Sequence, residues 1–287
     1  MTKNRLKLRG WAPCWASRPT TSENRTPEVC PNAEIGSIRS RAREQAVSDW
    51  AARALHFQPS KLQTEILNYT GDRLILCCAR QWGKSTIVAI KALHEAVHNP
   101  GTVTIILSRT KPQASIILQR IRANMAALGL PIKRHQGRDH SIALPNGAAI
   151  FAIAHNAETA VGYTANTLIV DEAAVVADET FAAALPSIAR TNGKLWMLST
   201  PNGQTGTFYN IWHDQKLSHW HRVKATVDDV DYANKEIIDL HMRLYPARAK
   251  QDFYCEFVQP AGRLVSAELF KNFVDPTRTQ RRLPDLN

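Results

Sequence analysis

Gly83-Lys84-Ser85 leaves this chain few folds to choose from. It follows a short apolar run, Arg73–Ala79, bounded by Gly71-Asp72. It opens a helical pattern, Lys84–His98, that Pro100-Gly101 ends. A buried strand that turns through a glycine-containing loop into a helix is the setting of a phosphate-binding loop. Backbone N–H groups at the helix N-terminus point at the anion, and the helix dipole favours it. Gly83 lets the main chain come close to the phosphates, Lys84 reaches the β- and γ-phosphates, and the Ser85 hydroxyl ligates Mg²⁺. Ala79, Arg80, Gln81, Trp82 and Thr86 complete the expected cradle. Trp82 has two readings, packing on the nucleotide or packing in the core. The common loop carries glycine at both ends, and here Cys78 stands at the first.

Strands and helices alternate around this loop. Ala42–Leu55 has helical spacing, and Ser60–Asn68 reads as a short helix capped by Ser60. Thr102–Ser108, Thr167–Asp171 and Lys194–Ser199 are apolar and read as strands, while Pro112–Leu128 and Glu179–Ala189 read as helices. Ser141–Leu144 and Ala148–Ile153 flank Pro145-Asn146-Gly147, a hairpin pattern. Strands separated by helices of this length imply βαβ units and a mostly parallel sheet.

Two further strands end in chemistry. Thr167–Val170 delivers Asp171 and Glu172, the pattern that brings one carboxylate to Mg²⁺ and a second to an attacking water. Leu195–Leu198 runs into Ser199-Thr200-Pro201-Asn202-Gly203, small hydroxyl residues and a turn.

Taken together, Arg80-Gln81-Trp82-Gly83-Lys84-Ser85, Leu168-Ile169-Val170-Asp171-Glu172-Ala173 and Ser199-Thr200-Pro201-Asn202-Gly203 resemble the ATPase domain of the large terminase subunit. That family comprises the DNA-packaging motors of tailed bacteriophages and prophages, and its loop variant has an early Arg and no first Gly. Phe57-Gln58-Pro59 with Gln63 resembles the family's adenine-recognition segment. Phe208–Trp212 and Phe253–Phe257 match later stretches, so the likeness spans about residues 45–270.

The resemblance implies a three-layer α/β P-loop NTPase domain, RecA/ASCE-like, with a central mainly parallel sheet. It implies ATP and Mg²⁺ as cofactors. Lys84 and Ser85 would bind phosphate and metal, Asp171 would hold Mg²⁺, and Glu172 would activate water. Arg80 would act as an arginine finger in cis or sense the γ-phosphate, a role worth roughly 10³–10⁵ in rate. Gln63 would contact adenine, and Ser199, Thr200 and Asn202 would couple hydrolysis to movement. Val161-Gly162 departs from the family's frequent Arg-Gly. The implied partners are double-stranded DNA, further copies in a ring, a small terminase subunit and a portal protein, in the cytoplasm of a bacterial host.

The division expected is a disordered basic extension over 1–38, an ATPase domain over 39–262 and a stub over 263–287. From Met1 to Ser22 there are five basic residues and no acid. Full-length relatives continue into a nuclease built on clustered carboxylates. Only 17 residues follow Phe270, with Asp275 and Asp285 as their acids, so no nuclease activity is expected of this chain.

The formal net charge is +11, which favours a polyanionic partner. Arg109, Lys111, Arg120, Arg122, Lys133, Arg134 and Arg138 form a basic stretch without an acid, the candidate DNA grip. His213, His219 and His221 lack an accompanying cysteine pair and do not read as a metal site. Five cysteines, two of them adjacent at Cys77-Cys78, are too sparse for a disulfide scaffold and suggest a reducing compartment. No run approaches the roughly 20 apolar residues of a membrane span. Two alternatives stand beside the packaging motor: another P-loop translocase or helicase-like ATPase, and an inactive prophage remnant serving binding or assembly.

Overall fold

The computed structural model describes residues 46–135, 140–154, 162–230 and 234–259. The expected terminal segments, Arg138 and Val161 therefore lie outside the described residues.

Helices α1 (Val47–Ala54) and α2 (Lys61–Asn68) precede strand β1 (Arg73–Cys78). Helix α3 (Lys84–His98) leads to β2 (Val103–Ser108), and α4 (Lys111–Ala127) leads to the pair β3 (Ser141–Ala143) and β4 (Ala149–Ala154). Strand β5 (Thr167–Asp171) is followed by α5 (Asp178–Ala184), α6 (Pro186–Ala189) and β6 (Lys194–Ser199). Then come α7 (Thr207–His213), β7 (His221–Ala225), α8 (Lys235–Leu244) and α9 (Pro246–Tyr254). The helix expected over Glu179–Ala189 is thus two. Pro186 cannot donate to the turn before it and restarts the helix at its own first position.

The seven strands run in the order β3-β4-β2-β5-β6-β1-β7. Pairing is parallel throughout except between β3 and β4, which form the expected antiparallel hairpin. Alternation along each strand divides the core in two. Leu74, Leu76 and Cys78 of β1, Ile169 of β5 and Trp196 and Leu198 of β6 face a layer with α1 to α4. Ile75, Cys77, Leu168, Val170, Leu195 and Met197 face the opposite layer, with Phe181, Ile188 and Phe208. That is the three-layer α/β domain expected, with apolar residues on both faces because both are covered. Each of these fully buried Leu or Ile side chains contributes about 1.5–3 kcal/mol.

The register gathers the chemistry. Cys77 pairs with Ser199 on one side and Lys224 on the other, and Asp171 pairs with Leu198. Strands β1, β5, β6 and β7 therefore end together, and the segments that follow them meet at one edge. Open α/β sheets place their ligands at that carboxyl edge.

Candidate active site

The loop from Ala79 to Gly83 begins where β1 stops. Its main chain is held from three sides: Ala79 N–H donates to Ala225 O (2.8 Å), Arg80 N–H to Asp252 O (2.8 Å), and Gln63 Nε2 to Trp82 O (3.1 Å). Gln81 and Gly83 take positive φ, 62° and 100°, which curls successive amides toward one concavity. A Cβ on Gly83 would also stand 3.0 Å from Gln63 Nε2, so only glycine fits here without strain. The loop encloses a cleft of about 460 Å³ lined by Ala79–Thr86, Arg120, Glu172 and Thr200.

Lys84 sits at the centre of the charges. Its Nζ lies 2.6 Å from Glu172 Oε1 and 3.7 Å from Asp171 Oδ1. Burial opposes the lysine charge, but Asp171, Cys78 and Glu172 outweigh it and hold the ammonium above its ordinary value. Burial raises Asp171 against the pull of Lys84. Asp171 Oδ1 is buried and without a hydrogen bond among the described residues. An oxygen of that kind suits a water on a metal, and Ser85 lines the same cleft. The two residues therefore fit Mg²⁺, which takes few protein ligands beside phosphate and water.

Glu172 adopts the left-handed conformation, φ 55° and ψ 40°, at the start of a 3-10 turn over Ala173–Val175. A non-glycine residue held there stores strain that its surroundings must impose. One such constraint is Ser199, whose Oγ accepts from Ala174 N–H (3.1 Å) and donates to Thr200 O (2.8 Å). Ser199 is buried and Thr200 lines the cleft, whereas Asn202 is exposed. The hydroxyl-rich end of β6 thus fixes the turn that carries Glu172.

Several residues do something the sequence does not announce. The Trp82 indole is 1% exposed and packs in the core, while the residue also lines the cleft. Gln63 completes a capping box with Ser60, accepting from Ser60 N–H (3.0 Å) while its N–H₂ group holds Trp82 O. Its side chain braces the loop from behind and is not among the residues lining the cleft. Arg80 Nε pairs with Asp252 Oδ1 (3.0 Å), and Arg248 holds the other oxygen (2.9 Å). Gln251, next to Asp252, accepts from Gly203 N–H (3.2 Å). Helix α9 therefore touches the phosphate loop and the turn after β6 through two adjacent residues. No motif in Gln251-Asp252 signals this; the contacts arise only once α9 folds back over the sheet edge.

The basic stretch does not gather on one surface feature. Arg109 and Lys111 are exposed where β2 passes into α4. Arg122 Nη2 approaches Ser141 O (3.5 Å), and Lys133 and Arg134 are exposed ahead of β3. Arg120 enters the phosphate cleft. The three histidines are apart: His221 pairs with Glu65 (3.0 Å), His213 Nδ1 is bonded to Tyr209 O, and His219 lies beside Trp220. Cys77, Cys78 and Cys255 are free thiols. Burial pushes Cys78, at the foot of the loop, up to about 12.

Comparison with known proteins agrees with this geometry. The large terminase subunit of Escherichia phage T5 is 29% identical over 181 residues, covering 60% of this chain and 41% of that protein. The large terminase subunit of Thermus phage G20c is 26% identical over 176 residues, covering 54% and 36%. The chain thus spans about two-fifths of the length of these curated relatives. Among solved structures, the ATPase domain of the Thermus phage P74-26 large terminase superposes with a TM-score of 0.66 at 21% identity. That match covers 75% of this chain and all of that domain. A large terminase from a thermophilic bacteriophage, in complex with ADP, gives 0.60 at 16% identity, covering 69% and 53%. Residues 75–273 match the family described as terminase large subunit, T4likevirus-type, N-terminal, and the chain belongs to that family.

Proposed function

We propose that this chain is the ATP-hydrolysing motor domain of a packaging terminase and that its hydrolysis drives double-stranded DNA into a procapsid. The observation that carries the reading is the Lys84 ammonium, 2.6 Å from Glu172 and 3.7 Å from Asp171, at the mouth of a helix N-terminal loop. Lys84 stays cationic in that company and meets the β- and γ-phosphate oxygens. Those oxygens replace Glu172 as its partner and free the carboxylate. Glu172 then takes a proton from the water that attacks the γ-phosphorus as the bond to the β-phosphate oxygen breaks, giving ADP and phosphate. Ser85 and Asp171 would hold Mg²⁺, which when bound neutralises phosphate charge. Arg80 leaves Asp252 to meet the γ-phosphate, and Ser199, Thr200 and Asn202 pass that change to the segment after β6. Gln63 steadies the loop and contributes to the adenine end of the site. Hydrolysis is stimulated by double-stranded DNA, and the domain works in a homo-oligomeric ring with a small subunit and a portal protein, in the host cytoplasm. Among the described residues, no helix is long and apolar enough to cross a membrane.

The test is ATP turnover by the purified chain with and without double-stranded DNA. Lys84→Ala and Glu172→Ala should each remove DNA-stimulated turnover. Wild-type turnover that persists in Glu172→Ala would reject this assignment of the base.

A further inference from the structure

Arg120 belongs by sequence to the basic stretch and by position to the phosphate cleft. Helix α4 presents Ile117, Leu118 and Ile121 to the core, which fixes its rotation. Arg122, two residues on, leaves from another face and approaches Ser141 O. Arg120 points the other way and its Nη1 donates to Thr86 Oγ1 at 3.0 Å. Thr86 is the third residue of α3, directly after Lys84 and Ser85.

The cations lining the cleft have different partners. Arg80 is paired with Asp252, and Lys84 with Glu172 and Asp171. Among the described residues, the hydrogen-bond partner of Arg120 is a neutral hydroxyl. A guanidinium bonded to a hydroxyl at the rim of an anion cradle gives up little when an anion arrives. Its planar fork also matches phosphate oxygens in a way an ammonium does not.

We propose that Arg120 is a phosphate ligand of the nucleoside triphosphate, gripping it together with the Thr86 hydroxyl, and not a contact to DNA. The proposal rests on the ATP reading of the cleft. It adds a cation brought by α4, from outside the phosphate loop and the Asp171-Glu172 strand.

The test is direct titration of the chain with a fluorescent ATP analogue, beside double-stranded DNA binding at one fixed salt concentration. Arg120→Ala should weaken nucleotide binding about tenfold or more, the range of a charge-assisted bond. Arg120→Lys should recover part of that affinity. DNA affinity should stay within about twofold, since removing a phosphate grip on DNA would cost more. Arg120 is exposed on α4, so its substitution spares the core, and unchanged circular dichroism and melting would verify this. Nucleotide binding that Lys84→Ala abolishes but Arg120→Ala leaves intact would overturn the role of Arg120 alone. Intact nucleotide binding with weakened DNA binding would return Arg120 to the DNA grip. A wild-type chain that binds no nucleotide would remove both this proposal and the ATP reading beneath it.

Discussion

At Glu172 the requirements of folding and of chemistry separate. A left-handed backbone at a residue with a Cβ is unfavourable by about 1–2 kcal/mol, yet that conformation aims the carboxylate at Lys84 2.6 Å away. The strain can be read out by comparing two variants that both lack the carboxylate. Glu172→Ala keeps the strained backbone, while Glu172→Gly relieves it and loses some stability through unfolded-chain freedom. The glycine variant should be about 1 kcal/mol more stable than the alanine variant, although on the proposed function neither should turn over ATP. Equal stability, measured by denaturant unfolding, would mean that the backbone at this position carries no strain. The place of Glu172 at the end of a strand is legible in the sequence because an apolar run that stops at two acids marks where a buried strand leaves the core. The Glu172 backbone is not, since left-handed geometry at a non-glycine residue is imposed by neighbours such as Ser199 and Ala174 and leaves no local mark.

Helix α2 has eight residues, too short to persist alone, and is stabilised at both ends. The Ser60–Gln63 capping box holds its start, and Gln63 joins that start to the loop carbonyl of Trp82. At its other end, Leu67 O and Tyr69 O receive the buried ammonium of Lys91 at 2.9 and 2.6 Å. Lys91 projects from α3 and lies 4.8 Å from the Trp196 ring. Burial lowers Lys91 to about 8 from its usual 10.5, against the pull of Glu95. The sign of the pH effect follows. Between pH 8 and 10.5 the unfolded chain holds a proton that the folded chain has released, so stability attributable to Lys91 rises with pH in that window. Below pH 8 both states are protonated and the full burial penalty applies. The unfolding free energy of wild type relative to Lys91→Met should therefore climb by about 3 kcal/mol from pH 8 to pH 10.5. A difference that stays flat across those pH values would show that the amine is not desolvated. Element boundaries follow the same division between local and distant causes. Lys84–His98 and Lys194–Ser199 are readable to the residue because glycine, proline or polar residues punctuate them. Strand β7, His-Arg-Val-Lys-Ala, escapes a reading of the sequence because an edge strand with polar alternate positions looks like loop until β1 pairs with it. Helix α8 does carry a local start signal, Asn234, whose side chain accepts from Ile237 N–H, and α9 opens on Pro246, but the role of α9 depends on bonds to segments after β1 and β6, far back in the chain.

On the proposed function, positive charge across the molecule serves two polyanions, and the cations stand in separate places. Lys84, Arg80 and Arg120 converge on the nucleotide cleft. On the side of the sheet formed by β2, β4 and β3, Arg109 and Lys111 are exposed at the carboxyl end of β2, whereas Lys133 and Arg134 are exposed nearer its amino end, where Lys133 bridges Ala143. The P-loop strand β1 lies toward the opposite side, with β5 and β6 between it and β2. A translocating motor has to hold DNA without reading its bases, so its grip should be ionic and displaced by salt. Removing one cation–phosphate pairing lowers the slope of log affinity against log salt by about 0.9 on duplex DNA. Replacing Arg109, Lys111, Lys133 and Arg134 together by Gln should flatten that slope by about 3–4, while leaving ATP affinity as in wild type. Arg120→Ala, measured in the same titration, should leave the slope as it is. If the fourfold variant keeps the wild-type slope, DNA is held by some other surface of the chain. If it loses nucleotide affinity in parallel, the two sites share their charges, and the separation of polyanions by sheet position is wrong.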